Sequence, residues 1–224
     1  MSTLYIVATP IGNLEDLTFR ALRILNEVDL ILCEDTRVTK KLLDRYQIKK
    51  PLLSYHQHSR LQRIYYIISL LKEGKNLALV SDSGTPGISD PANKLVSKVV
   101  EMLSNKVKIV PIPGPSALTC AISVCGFPMD KFLFLGFLPK KKKRSKILSE
   151  IAESKYPVVF YESPYRIVKT LKELECMNRQ LKVFIGRELT KKFETIYRGQ
   201  INEVIKEIER RPIKGEFVVI VDKE

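Results

Sequence analysis

The chain has 224 residues, room for one large or two small domains, and its 45% hydrophobic content excludes disorder as the dominant state. Its 38 lysines and arginines outnumber 25 acidic residues, a net charge of +13 that favours polyanionic partners such as nucleic acid. No apolar run approaches the roughly 20 residues of a membrane-spanning helix, and no basic segment leads into a long apolar stretch, so a soluble, cytoplasmic protein without a membrane role is expected.

Taken in chain order, short β-branched runs alternate with segments of helical period. Strands are predicted at Leu4–Ala8, Leu30–Cys33, Leu77–Ser81 and Val107–Ile112. Between them Phe19, Leu22 and Leu25, then Leu61, Ile64, Ile68 and Leu71, then Leu95, Val99 and Leu103 recur at helical spacing. Thr36 is placed to cap a helix whose apolar face carries Val38, Leu42 and Tyr46. Such alternation implies a mostly parallel sheet joined by right-handed crossovers.

The proline-rich stretch Pro111–Pro115 restricts helix and sheet alike, so the expected joint divides residues 1–113 from residues 114–224. Beyond it, helices are predicted at Ser116–Val124, Ser145–Glu153, Arg166–Leu174 and Ile201–Arg210. Strands are predicted at Phe132–Leu135, Val158–Tyr161, Val183–Ile185, Glu194–Arg198 and Phe217–Val221. Several of these are separated by turns too short for a crossover helix, so a mixed sheet is expected. The fold class is therefore two α/β domains with a cleft between them.

Ten glycines are few for this length, yet they gather at predicted strand ends: in Thr9–Asn13, in Ser81–Pro91 and in Pro113–Ala117. In open α/β sheets ligands sit beyond the carboxyl ends of strands, where glycine lets backbone approach closely. Neither Gly-x-Gly-x-x-Gly nor a Walker loop is present, so the ligand is not one held by a cradled pyrophosphate. S-adenosylmethionine fits that description. The four cysteines show no Cys-x-x-Cys spacing and only two histidines accompany them, so no metal is expected and the thiols are read as reduced.

Three charged segments remain. Glu34, Asp35 and Arg37 follow the second strand, where helix capping and service at a crevice mouth are both open. Lys140, Lys141, Lys142, Lys143 and Arg144 form the densest charge block, read as an RNA contact in preference to a merely solvated loop. Arg187, Glu188 and Lys191 crowd a turn beside a glycine. His56 and His58 are read as exposed turn residues rather than bases.

Several motifs, in order, carry a family resemblance: Leu4–Leu14, Cys33–Arg37, Ser54–His56, Ser81–Pro91, Ile112–Ala117, Phe134–Pro139, Phe160–Arg166 and Gly186–Lys191. Together they resemble the tetrapyrrole-methylase fold family, in its ribosomal RNA small-subunit methyltransferase I branch. The resemblance implies S-adenosylmethionine-dependent 2′-O-methylation of a cytidine in the decoding region of small-subunit rRNA. It also implies a homodimer and a substrate that is either free rRNA or the assembled 30S subunit. By resemblance the cofactor contacts are Pro10, Gly84, Pro86, Ile88, Ser116, Ala117, Tyr161, Glu162, Leu189 and Glu216. Related enzymes acting on tetrapyrroles have Gly-Asp-Pro where this chain has Gly84-Thr85-Pro86, which removes one carboxylate.

For attack by a ribose hydroxyl, the candidates at the crevice mouth are Glu34, Asp35, Arg37, Arg187, Glu188 and Lys191. Tyr55 and Tyr165 are candidate stacking platforms for an unpaired base, with core packing as the alternative. Two rival readings are a small-molecule tetrapyrrole methylase and a non-catalytic RNA-binding protein. The charge excess argues against the first, and the glycine-bearing loops argue against the second.

Overall fold

The alternation of apolar runs and amphipathic segments becomes two α/β units in the computed structural model, Met1–Ser116 and Ala117–Glu224, with residues 1–57 and 59–223 described. In the first unit β1 (Ser2–Val7), β2 (Leu30–Cys33), β3 (Leu52–Ser54), β4 (Leu77–Val80) and β5 (Val107–Ile112) form one sheet in the order β3-β2-β4-β1-β5. Every pairing in it is parallel. The connecting helices are α1 (Phe19–Glu27), α2 (Thr36–Arg45), α3 (Leu61–Lys72) and α4 (Ala92–Leu103).

A parallel sheet buries both faces, and β4 shows why four apolar residues in a row are needed. Leu77 and Leu79 point into a cluster with Ile64, Ile67, Ile68 and Leu71 of α3 and Leu95 and Val99 of α4. Ala78 and Val80 point the other way, against Ile24 and Leu25 of α1 and Leu42 and Leu43 of α2. Burying each Leu or Ile contributes about 1.5–3 kcal/mol, so four such side chains fix α3 firmly while its outer face stays in water. Ile67→Ala would cost about 2–5 kcal/mol.

The predicted strands of this unit are all present, but β3 had no counterpart in the sequence reading. Three residues after Pro51 are too short to show periodicity, and β3 stands only because it pairs with β2 from Ile31↔Leu52 to Cys33↔Ser54. The cap of α2 also differs. Asp35, not Thr36, is the N-cap, its carboxylate accepting from the Arg37 backbone N–H, because a carboxylate one residue earlier already meets the orphan donors. The buried face of α2 is Thr39, Leu42 and Leu43, while Val38 is exposed.

The second unit comprises α5 (Ala117–Cys125), β6 (Leu133–Phe137), α6 (Arg144–Ala152), β7 (Val158–Glu162), α7 (Ile167–Met177), β8 (Lys182–Arg187), β9 (Thr195–Gln200), α8 (Ile201–Glu209) and β10 (Phe217–Asp222). Its sheet order is β6-β7-β10-β8-β9. Only β6 and β7, joined through α6, run parallel; β7–β10, β10–β8 and β8–β9 are antiparallel, the last pair joined by a turn too short for a crossover. Helices α6, α7 and α8 share one core with β7, β8 and β10. Two α/β units, one parallel sheet and one mixed sheet, agree with the expected fold class.

Among the described residues no helix is long and apolar enough to cross a membrane, and no group of His, Cys, Asp or Glu is placed to hold a metal. All four cysteines are free.

Candidate functional site

Because the first sheet is wholly parallel, the carboxyl ends of its strands share one edge. The three loops singled out from sequence meet there and are stitched together. Thr9 and Gly84 exchange backbone hydrogen bonds of 3.0 and 3.1 Å, and the Thr9 hydroxyl donates to the Ser81 carbonyl at 3.0 Å. The Thr85 hydroxyl donates to the Pro115 carbonyl at 2.9 Å, so Thr85 ties the second loop to the third. Gly84 has φ of +82°, and a Cβ there would lie 3.3 Å from Ile11 Cγ2 and 3.6 Å from the Pro115 carbonyl oxygen. Only glycine permits that approach. Pro10, Pro86 and Ser116 are buried in this junction and Ile88 is half-buried.

These loops are also chemically distinctive. In a chain with 38 lysines and arginines, Thr9–Asn13, Ser81–Pro91 and Pro113–Ser116 contain none. They carry instead Asp82 and Asp90, the latter accepting from the Gly87 and Ala92 backbone N–H groups at 2.8 Å. A cationic ligand meets no repulsion here.

Beside them, at the ends of β2 and β4, lies an acidic group. The Ser81 hydroxyl donates to Glu34 Oε1 at 2.9 Å, and the Asp35 backbone N–H donates to Asp82 Oδ1 at 3.0 Å. Partial burial raises the Glu34 carboxyl above its ordinary range, helped by Asp82 and Asp90 and opposed by the Ser81 hydrogen bond. Burial likewise raises Asp82 and the Cys33 thiol. Asp35 differs: the Arg37 guanidinium grips it at 2.6 Å and holds it at about 2. Of the two carboxylates that follow β2, Glu34 is thus the better proton acceptor near neutral pH.

The second unit collects its candidates at one end of its own sheet. Cα partners place Glu162 of β7, Phe217 of β10 and Arg187 of β8 in line across three strands. Lys191 Nζ sits 3.0 Å from Glu188 Oε1 and 3.0 Å from Glu216 Oε2. Glu188 Oε1 also accepts from the Glu216 backbone N–H at 2.9 Å. Burial pushes the Glu188 carboxyl up, but the Lys191 and Glu216 hydrogen bonds outweigh it and the net shift is downward. Glu188 and Thr190 both have positive φ, 51° and 67°, a strained turn of the kind that clusters at functional sites. Leu189 is buried, covering Gly186 so closely that a Cβ on Gly186 would lie 2.9 Å from it. Arg187 Nε donates to the Lys214 carbonyl at 2.7 Å.

Two charged side chains named from sequence in this unit are engaged within the fold. Glu162 is buried, and its carboxylate meets Arg166 at 2.6 Å, the Thr170 hydroxyl at 2.8 Å and Arg144 at 3.8 Å. That side chain is fully engaged by protein and has no capacity left for a ligand. Arg144, grouped with the lysines as an RNA contact, is itself buried, bonded to Glu173 at 2.7 Å and to Thr170 at 2.8 Å. The guanidinium fork satisfies two acceptors at once, which four preceding lysines do not attempt. Lys140, Lys141, Lys142 and Lys143 are exposed. Tyr55 is 1% exposed and donates to the Pro91 carbonyl at 3.4 Å, so it is core, whereas Tyr165 is 96% exposed. Tyr161 is half-buried, edge-on to Phe134 and Phe137 at 5.2 and 5.3 Å. Ala117 opens α5 and His56 is exposed; His58 lies outside the described residues.

A family model described as Tetrapyrrole (Corrin/Porphyrin) Methylases matches residues 3–205. This chain belongs to that family. As one of these methylases it is a methyltransferase, and its relatives are close. It is 48% identical over 221 residues to Ribosomal RNA small subunit methyltransferase I of Thermotoga maritima, covering 99% of this chain and 98% of that one. The protein of the same name in Bacillus subtilis is 43% identical over 223 residues, with 99% of this chain and 75% of that one covered. Among solved structures, diphthine synthase matches with TM-score 0.74 at 13% identity, over 99% of this chain and 90% of that one. The methyltransferase CobJ matches with TM-score 0.72 at 19% identity, over 99% and 94%. At such low identity the structures speak to fold alone.

For this methylase, the residues that sequence reasoning missed are the supports: Ser81 beneath Glu34, and Arg166, Thr170 and Glu173 around Glu162 and Arg144.

Proposed function

We propose that this methylase transfers the methyl group of S-adenosylmethionine to the ribose 2′-hydroxyl of a cytidine in the decoding region of small-subunit ribosomal RNA. The observation that carries the reading is near-full-length identity of 48% to a protein named as a methyltransferase of that RNA. The donor supplies an electrophilic methyl on a sulfonium. The cation-free loops of the first unit suit that charge and the adjoining ammonium, with Pro10, Gly84, Pro86, Ile88 and Ser116 as the contacts. Gly84 fits the role because a side chain would close the approach between loops. The same proposal assigns further contacts to Ala117, Tyr161, Leu189 and Glu216, and to Glu162 through its backbone only.

In the reaction a hydroxyl oxygen forms a bond to the methyl carbon as the carbon–sulfur bond breaks, and the hydroxyl proton must leave. Glu34, raised by burial, is the proton acceptor we favour. Alignment of the ribose supplies the larger share, since effective molarity is worth about 7–11 kcal/mol. Lys140–Lys143 and the basic surface contact phosphates. The working form is proposed to be a homodimer acting in the cytoplasm on the 30S subunit.

Calorimetry with S-adenosylmethionine, then tritium transfer to undermethylated small subunits, to naked rRNA and to a tetrapyrrole, tests this. Label on a 2′-oxygen of small-subunit rRNA is expected. Donor binding without transfer to any RNA would overturn the proposal, and transfer to the tetrapyrrole would replace it.

A further inference from the structure

At the β3 end of the first sheet's carboxyl edge is a concavity of about 380 Å³ that none of the preceding assignments uses. That size falls at the lower end of ligand pockets, about 300–1,000 Å³, where a single nucleotide fits. Its wall includes Arg60, Arg63, His56, Ser59, Ser54 and Tyr66, and no carboxylate.

The charge there is unspent. Twelve ion pairs are formed among the described residues, and neither Arg60 nor Arg63 takes part in one. Both guanidinium groups therefore face the concavity's water without a protein anion to neutralise them. The backbone adds to this. Arg60 is the N-cap of α3, a helix of 12 residues, and no side chain caps it. The positive end of the helix dipole consequently lies beside two cations with no side-chain cap among the described residues. An arginine at an N-cap is the opposite of what helix stability selects, since the cap position favours Ser, Thr, Asp or Asn. The arrangement is unfavourable until an anion arrives, and phosphate is the anion that arginine forks and helix N-termini hold together.

The wall is also built rather than adventitious. The α3 face behind it is locked by Ile64, Ile67, Ile68 and Leu71, all nearly inaccessible. The His56–Ser59 turn closes on itself, with Ser59 N–H donating to the His56 carbonyl at 2.8 Å and His56 N–H to Ser59 Oγ at 2.9 Å. Ser54 donates to the Glu34 carbonyl at 3.2 Å, and Glu34 in turn accepts from Ser81 at 2.9 Å. One hydrogen bond thus ties the concavity's Ser54 to the backbone of Glu34, whose side chain is the proposed proton acceptor. Strands stand about 4.8 Å apart, so β3 lies roughly 10 Å from β4, a step that one nucleotide bridges.

We infer that this concavity binds the phosphate of a nucleotide flanking the methylated one, with Arg60 and Arg63 on the phosphate and Tyr66 beside its base. The inference rests on the RNA reading given above and deepens it: the sheet edge reads, in order, flanking phosphate at β3, acceptor carboxylate at β2, donor loops at β4, β1 and β5. Tyr66 is half-exposed on the same helix face, four residues after Gln62, where a base can lie against its ring.

The test uses the full-length protein. Amide and arginine Nε shifts are followed by NMR while cytidine 5′-monophosphate, cytidine and inorganic phosphate are added separately. Shifts centred on Ser59–Arg63 with the monophosphate, weaker with phosphate and absent with cytidine, are expected. No shift there with the monophosphate overturns the inference, whatever the enzyme does to RNA. In parallel, Arg60→Gln/Arg63→Gln should weaken binding of small-subunit rRNA at least tenfold at 0.1 M salt. It should also lower the log–log salt slope by about 0.7–0.9, one phosphate's worth, with S-adenosylmethionine affinity unchanged. Unchanged RNA affinity in a variant whose parent binds rRNA sinks this site and leaves the proposed function standing. A parent that binds monophosphate here but no rRNA sinks the proposed function and leaves the phosphate site.

Discussion

The Arg166 guanidinium lies 2.6 Å from the Glu162 carboxylate, a pair whose acid is wholly inaccessible. Arg166 also donates to the Leu138 carbonyl at 3.0 Å, and Arg144 to the Pro139 carbonyl at 3.3 Å. One buried carboxylate therefore anchors the loop that presents Lys140–Lys143 and the turn that presents Tyr165. Removing one partner from a buried pair leaves the other charge uncompensated, at a cost of about 3–5 kcal/mol. Glu162→Gln should lower unfolding free energy by that amount in chemical denaturation. A loss under 1 kcal/mol would show that water already reaches the pair.

The exposed lysines should behave in the opposite manner. Replacing Lys140–Lys143 with alanine removes charges that form no ion pair among the described residues, so stability should change by less than about 0.5 kcal/mol. The salt slope of rRNA binding should fall by about 3, at 0.7–0.9 per phosphate contact. Arg144→Gln should do the reverse, lowering stability while sparing the slope. An equal slope change from Arg144→Gln and from the four lysines would contradict the burial of Arg144.

Proton uptake at Glu34 gives a pH signature whose sign follows from the upward shift. A carboxyl raised in the folded state favours folding while it is protonated, and that contribution is lost as pH rises past its ordinary range through the raised value. As proton acceptor, however, it must be ionised, so activity should fall as pH drops through the same window. Ser81 pulls the value down, so Ser81→Ala should move the acid limb of the rate profile to higher pH. Carboxyl-selective NMR titration of Glu34 checks the direction independently. An acid limb unmoved by Ser81→Ala would remove Glu34 from the acceptor role.

How much of this was legible beforehand differs by element. The central strands announced themselves through apolar runs, because a strand buried on both faces, such as Leu77–Val80, must be apolar at every position. The three loops were legible because glycine and proline are read directly from sequence and their backbone needs are general. Leu52–Ser54 was not legible, since its existence depends on pairing with β2 rather than on its own pattern. Nor was the inward turn of Arg144: five consecutive cations look alike in sequence, and only the tertiary partners Glu162, Thr170 and Glu173 distinguish the last. Tyr55 and Tyr165 make the same point, as two tyrosines in polar surroundings that the fold places in the core and in water.

The strained turn after β8 yields a sharper test, because the strain has an identifiable neighbour. Gly215 has φ of +98°, and a Cβ on it would lie 2.5 Å from Glu188 Cγ and 2.6 Å from Cδ. Gly215→Ala must therefore expel the Glu188 side chain, breaking its bonds to Lys191 Nζ and the Glu216 backbone N–H. Glu188→Ala removes the same bonds without a clash. If the fold tolerates Gly215 only because Glu188 needs the space, the two changes should be strongly non-additive. Alone, Gly215→Ala should cost about 2–3 kcal/mol, from the lost bonds and the left-handed backbone. In the Glu188→Ala background only the backbone share of about 1 kcal/mol should remain, a coupling within the 0.5–3 kcal/mol seen for residues in contact. Methyl transfer should fall alike in both single variants and no further in the double one, since each removes the same carboxylate from Lys191. Additive losses in stability and rate would mean that Gly215 serves the turn for its own conformation, and that Glu188 holds Lys191 independently of it.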